Sequence, residues 1–178
     1  MERTPQRAEA RFRWLVLTGV FAAMACAATM VIRIPSPTTG YVNLGDTVVL
    51  LGAYLLGPGY GAAAAGIGTA LADLLGGYPV YVPATLVIKA AMASLAGLAH
   101  RKGMGKGMPG VIACGLIGEI PMVAGYWLYD GVLLGSLAGS AAGIPSNLVQ
   151  AGFGIAASTL LTAALRKSPY VRREFPAL

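Results

Sequence analysis

Apolar residues in this chain run on for longer than a water-soluble core can use. The stretch 14–34 carries a single charged side chain, Arg33, over about 20 positions, the length that crosses a bilayer at 1.5 Å per residue. Further apolar runs follow at 46–56, 59–75, 80–99, 108–129 and 144–165. Turn chemistry separates them: Pro35-Ser36-Pro37, Gly57-Pro58-Gly59, Gly76-Gly77 and the glycine-rich link 103–107. Of the 178 residues 56% are hydrophobic and 11% charged, whereas a soluble domain carries roughly 25% charged residues. A mean hydropathy of +0.68 excludes a soluble globular enzyme, a disordered tail and a nucleic-acid module. The expectation is an all-α integral membrane protein with six transmembrane helices in one bundle. Residues 14–166 form the membrane domain, 1–13 a basic N-terminus and 167–178 a C-terminal tail. The run 46–56 is too short to span unaided and must be tilted, broken or extended by the loop before it.

The net charge of +6 is read against a bilayer. With the N-terminus inside, six spans gather Arg3, Arg7, Arg11, Arg13, Arg101, Lys102, Lys106, Arg166, Lys167, Arg172 and Arg173 on the cytoplasmic side. Only Arg33 is left outside, at a helix end where it can snorkel. Lysine and arginine favour the inside face, so both termini are expected to be cytoplasmic. The N-terminus resembles a signal peptide, but the first run is of spanning length and lacks a convincing cleavage site, so it is kept as a helix. Cys26 and Cys114 sit inside apolar runs and read as small buried hydrophobes.

Function is carried by the depth of the polar residues. Ionisable groups inside a membrane cost roughly 2.5–3.5 kcal/mol each on insertion scales and mark functional sites by default. On this topology Asp46, Asp73 and Asp130 lie toward the outer side, as do Tyr41, Asn43, Tyr78, Tyr81, Tyr126, Trp127, Asn147 and Gln150. Lys89 and Glu119 are near mid-depth. A channel needs polar groups through its whole depth, whereas this inventory opens to one side, which is what a binding pocket needs. Glu119, Tyr126 and Asp130 share one helix face, as do Asn147 with Gln150, and Thr85 with Lys89. Blander readings stand beside these. Lys89 and Glu119 can form one structural ion pair, Asp46 can cap a helix N-terminus, and Tyr41 and Tyr78 can belong to an interfacial aromatic belt. Asp73 ends a helix, where a carboxylate is disfavoured, and so requires another partner.

Small residues repeat every fourth position in Gly19, Ala23 and Ala27, and again in Ala62, Gly66 and Ala70. Such stripes allow close helix contact, either within the bundle or, for the flanking first helix, with a partner protein. Other chemistries lack their residues. The segment Gly103-Met104-Gly105-Lys106-Gly107 has neither the preceding glycine nor the Ser/Thr of a nucleotide-binding loop. His100 is the sole histidine, so no metal set or Ser–His pair is expected. The expectation is a protein that is not an enzyme, has no cofactor of its own, and works with partners that supply energy.

The segments Gly40-Tyr41-Val42-Asn43-Leu44-Gly45-Asp46, Leu56-Gly57-Pro58, Gly68-Thr69-Ala70-Leu71-Ala72-Asp73-Leu74-Leu75-Gly76-Gly77-Tyr78 and Pro83-Ala84-Thr85-Leu86-Val87-Ile88-Lys89 resemble the substrate-binding S components of energy-coupling factor (ECF) transporters, riboflavin-type group. The resemblance implies capture of a water-soluble vitamin from outside the cell membrane of a prokaryote. Delivery then passes through a transmembrane coupling protein and two ATPases, which use the ATP. It also implies that Ala23 and Ala27 dock the coupling protein, that 35–45 lids the site, and that the subunit topples to release its cargo. Riboflavin is the first candidate substrate, ahead of pyridoxine-type vitamins, hydroxymethylpyrimidine and queuine-type precursors. Substrate contacts are assigned to Asn43, Asp46, Asp73, Tyr81, Lys89, Glu119, Tyr126, Trp127, Asn147 and Gln150. Two rival functions are an ion- or proton-coupled carrier using Lys89, Glu119 and Asp73 as a relay, and a structural membrane subunit.

Overall fold

The computed structural model describes residues 3–38, 40–176 and 178, with side chains described from residue 8 onward. Arg3 and Arg7 of the basic N-terminus therefore lie outside the described side chains. Helix α1 (Arg3–Val31) starts well before residue 14 and carries Arg11 and Arg13 in its early turns. An antiparallel ribbon follows, β1 (Arg33–Pro35) against β2 (Tyr41–Asn43), with Arg33 opposite Asn43 and Pro35 opposite Tyr41. The sequence gives this stretch no strand signal beyond the Pro-Ser-Pro turn, and the ribbon is its main departure from an all-helical reading.

Helix α2 (Gly45–Leu75) is one continuous run along the chain but two rods in space. At Gly57 the backbone takes φ +81° and ψ −177°, a region essentially reserved for glycine, and Pro58 then withholds an amide hydrogen. The chain reverses there: a Cβ on Gly61 would lie 2.9 Å from the Ala53 Cα. A straight helix would hold Asp46 and Asp73 about 40 Å apart at 1.5 Å per residue, whereas the reversal returns both to the same end of the molecule. The separate runs 46–56 and 59–75 are thus the two arms of this reversal, and the first arm is short, as its sequence requires. Gly57→Ala is expected to cost about 1–3 kcal/mol, because an alanine must hold the strained conformation while its methyl enters the space of the Arg101 guanidinium. Thermal unfolding in detergent checks this, and an unchanged midpoint would refute it.

A 3-10 turn (Pro79–Tyr81) leads into α3 (Val82–Ala99), a π-helical turn (His100–Met104), α4 (Gly107–Leu134), the short α5 (Leu137–Ser140), a 3-10 turn (Ala141–Gly143), α6 (Ile144–Leu165) and α7 (Pro169–Glu174). Among the described residues five segments are long and apolar enough to cross a membrane, with Gly45–Leu75 counted once. The core is built by close backbone approach. Gly97 meets the Ala53 carbonyl and Pro58, Gly118 meets Ala96 and the Met92 carbonyl, and Gly66 meets the Leu86 carbonyl of α3. The second small-residue stripe is therefore internal packing. Large apolar side chains such as Ile67, Val87, Ile120, Val132, Val149 and Leu160 point outward, the inverse of a soluble surface and the expected dress of a bundle in lipid.

The described residues of the C-terminal tail pack against the bundle. Ser168 Oγ accepts from the Val171 amide to start α7. Phe175 then sits edge-on to Trp14 with centroids 6.1 Å apart, and Glu174 pairs with Arg13. Arg166 donates to the Leu178 carbonyl at 2.6 Å and to the Gly105 carbonyl at 2.6 Å. This closes the end of the bundle opposite the ribbon.

Candidate functional site

The ribbon lies across the end of the bundle where α2 both begins and finishes. Beneath it is a cavity of about 30 Å³ lined by Ser36, Gly40, Tyr41, Asn43, Asp73, Tyr81, Thr85, Tyr126, Asp130, Asn147 and Gln150. Each wall comes from a different element, so the reversal at Gly57, the loop after α1 and the starts of α3 and α6 are all needed to assemble it.

The carboxylates organise the polar bonds. Tyr41 Oη donates to Asp73 Oδ1 at 2.6 Å and Tyr81 Oη to Asp130 Oδ1 at 2.6 Å. Thr38 Oγ1 donates to Asp130 Oδ2 at 2.7 Å, from the tip of the ribbon. Asp73 therefore has the partner that its place at a helix C-terminus demands. Its second oxygen, Oδ2, is buried and has no hydrogen-bond partner among the described residues. Burial, with the Asp73 carboxylate beside it, drives the Tyr41 phenol well above its ordinary range, so it stays a donor. The Thr85 and Tyr126 hydroxyls bond at 2.9 Å, and Ser36 bonds Ser146 at 3.2 Å. The tyrosines form a continuous wall: Tyr41–Tyr78 at 4.7 Å, Tyr78–Tyr81 at 6.5 Å and Tyr81–Tyr126 at 6.3 Å. Tyr41 and Tyr78 are part of this wall, which an interfacial belt alone does not explain.

Below the cavity lies a buried ion pair. Lys89 binds Asp46, not Glu119, with both side chains at most 2% exposed. Gln150 donates to Asp46 Oδ2 at 2.6 Å and accepts the Asn43 amide at 2.7 Å, which ties the floor to the ribbon. The capping expectation for Asp46 is also corrected, because the Gly45 amide is accepted by Asn43 Oδ1 at 2.8 Å. Asp46 faces inward to Lys89.

Of the residues singled out from sequence, the cavity wall includes Asn43, Asp73, Tyr81, Tyr126, Asn147 and Gln150. Asp46 and Lys89 lie beneath it. Glu119 and Trp127 are placed elsewhere, on an apolar groove between α4 and α6 of about 510 Å³. Tyr126 and Trp127 are adjacent in a helix and so face different ways, which separates them. Trp127 Nε1 donates to the Leu137 carbonyl at 3.0 Å. Glu119 is buried and neither of its oxygens has a hydrogen-bond partner among the described residues. The cavity also includes Ser36, Gly40, Tyr41, Thr85 and Asp130, which were not assigned substrate contacts. Spacing holds a signal for two of them, since Thr85 is one turn from Lys89 and Asp130 one turn from Tyr126. Among the described residues no group of three or more His, Cys, Asp or Glu side chains could hold a metal ion. On α1, Gly19, Ala23 and Ala27 are all exposed, and a Cβ on Gly19 would meet nothing within 4 Å.

Residues 10–167 match the model of the family described as ECF-type riboflavin transporter, S component. A protein of Pyrococcus woesei described as an uncharacterized protein in a gap 3′ region is 39% identical over 128 residues, 71% of this chain and 84% of the relative. Two solved structures share the fold. One, titled as the S component of a bacterial ECF transporter, has a TM-score of 0.68 at 20% identity, covering 88% of this chain and 97% of the other. The second, an S component for biotin from an ECF-type ABC transporter, has a TM-score of 0.71 at 19% identity, covering 94% and 97%.

Proposed function

The chain belongs to the family of ECF-type riboflavin transporter S components, and on that premise we propose that the cavity under the ribbon is its substrate site, open to the outer face of the cell membrane of a prokaryote. The family is a transporter component and not an enzyme. Proteins of this kind bind a small substrate and associate with a membrane-embedded coupling protein and ATPases. The reading adopts six spans, the two arms of α2 counting separately, with both termini cytoplasmic. Arg101, Lys102, Lys106, Arg166 and Lys167 then lie on the inside. The chain needs no cofactor, since ATP is used by the partner subunits.

The observation that carries the assignment is the convergence of Asp73, Asp130, Tyr41, Tyr81, Tyr126 and Asn147 on one cavity beneath the ribbon. Three tyrosine rings suit a flat heterocycle, and the amides and carboxylates suit its polar edge. The candidates are riboflavin, a pyridoxine-type vitamin, hydroxymethylpyrimidine and a queuine-type precursor. The exposed Gly19, Ala23 and Ala27 supply the flat surface on which the coupling protein docks, and toppling of the subunit releases the cargo inside. A proton relay through Lys89 gains no support, because Lys89 is engaged by Asp46.

The test is to denature the purified protein, identify any released small molecule by mass spectrometry and visible absorption, and then titrate the candidates. About one heterocycle per chain is expected. Asn147→Ala is expected to weaken its binding by about 1–3 kcal/mol, the loss of one buried hydrogen-bond partner. Unchanged affinity would remove Asn147 from the site.

A further inference from the structure

We propose that the ligand of this cavity is a small basic nitrogen heterocycle, of the aminopyrimidine or aminomethylpyridine type, bound as its cation with its charged nitrogen between Asp73 and Asp130. The inference rests on the cavity being the substrate site and narrows the chemistry of what it takes. Asp73 and Asp130 are each 4% exposed and both line the cavity, while no described residue lining it is cationic. The nearby cations are engaged elsewhere. Lys89 is paired with Asp46, and Arg33 donates to the Gly76 carbonyl at 3.2 Å while lying 5.6 Å over the Tyr41 ring. Tyr41, Tyr81 and Thr38 give the two carboxylates hydrogen bonds but no countercharge. Asp73 still feels the charges of Lys89 and Arg33, but two carboxylates buried in one cavity are costly, and a cationic ligand between them offsets that cost.

Two further features agree. Asp73 Oδ2 is buried and has no hydrogen-bond partner among the described residues, and it belongs to a residue of the cavity wall, so it marks a place for an N–H donor from the ligand. The rings of Tyr41, Tyr81 and Tyr126 surround the same space, and aromatic faces attract cations within about 6 Å. The Tyr126 ring already does so with Lys89, whose Nζ lies 5.5 Å from its centroid. A cavity of about 30 Å³ holds no ring as it stands, so the ribbon must lift for any of these ligands to enter.

Equilibrium binding to the purified full chain in detergent tests this with matched probes. The pairs are an aminomethylpyridine with its hydroxymethyl counterpart and an aminopyrimidine with its oxo counterpart, with riboflavin as a larger neutral probe. The basic member of at least one pair is expected to bind ten times or more tighter than its neutral partner. Asp73→Asn and Asp130→Asn, which keep the side-chain shape, should each reduce that preference about tenfold. Tighter binding of riboflavin or a neutral member, undiminished by either Asn variant but weakened by Asn147→Ala, would overturn the charge inference and keep the site. Binding of a probe that is indifferent to all three variants would overturn both. Binding by none of the five probes would overturn the proposed ligand class. The wild-type pair comparison stands even if a variant fails to fold.

Discussion

Lys89→Met is expected to lower the stability of the folded chain by about 3–5 kcal/mol, the usual consequence of stranding one partner of a buried ion pair. The loss comes less from the missing attraction than from what remains. Asp46 is completely buried and, among the described residues, would keep the Gln150 amide as its side-chain donor. Removing both charges should behave differently. The double variant Asp46→Leu/Lys89→Met is expected to recover most of the loss, because paired apolar replacements of buried charges are often neutral or stabilising. Thermal unfolding of the single and double variants in detergent makes the comparison. A single variant as stable as the double would mean that the pair is not a buried unit.

Ala23→Trp is expected to abolish uptake in cells that also supply the coupling protein and ATPases, while leaving ligand affinity of the purified subunit within twofold. The reason is geometric. Gly19, Ala23 and Ala27 form one exposed strip on α1, on the opposite side of that helix from Phe21 and Ala25, which are buried in the bundle. An indole on the strip blocks close approach of a second helix without entering the core or the cavity. Full uptake by the variant would show that the coupling protein docks elsewhere. Loss of ligand binding would show that the strip supports the bundle instead.

The helices were legible because lipid imposes a length and a composition on any segment that crosses it. The reversal at Gly57-Pro58 was legible too, as a glycine and a proline between two apolar runs. The ribbon was not, because strands of three residues leave no periodicity to read, and their pairing depends on a loop folding over the bundle. Depth along the membrane identified which polar residues share a level, but not which way each side chain turns. That is why Glu119 and Trp127, at plausible heights, lie on the α4–α6 groove, and why Lys89 has Asp46 for a partner from the short arm of α2. The partner of Asp73 was foreseeable as a need from its unfavourable place at a helix end. Its identity, Tyr41, depended on the ribbon.

The ribbon is fastened to the groups it covers. Thr38 bonds Asp130, Tyr41 bonds Asp73, Ser36 bonds Ser146, and the Asn43 amide bonds Gln150. A ligand approaching Asp73 and Asp130 must therefore displace donors that already occupy them. On the proposed reading, covered and uncovered forms must exchange before capture, and apparent affinity is then the intrinsic affinity scaled by the fraction uncovered. The bonds of Ser36 to Ser146 and of the Asn43 amide to Gln150 do not involve those carboxylates, and on the same reading they hold the ribbon over its cargo after capture. Entry and escape then share one gate, and weakening the Ser36 bond would raise the uncovered fraction, speeding exchange and shifting the apparent affinity with it.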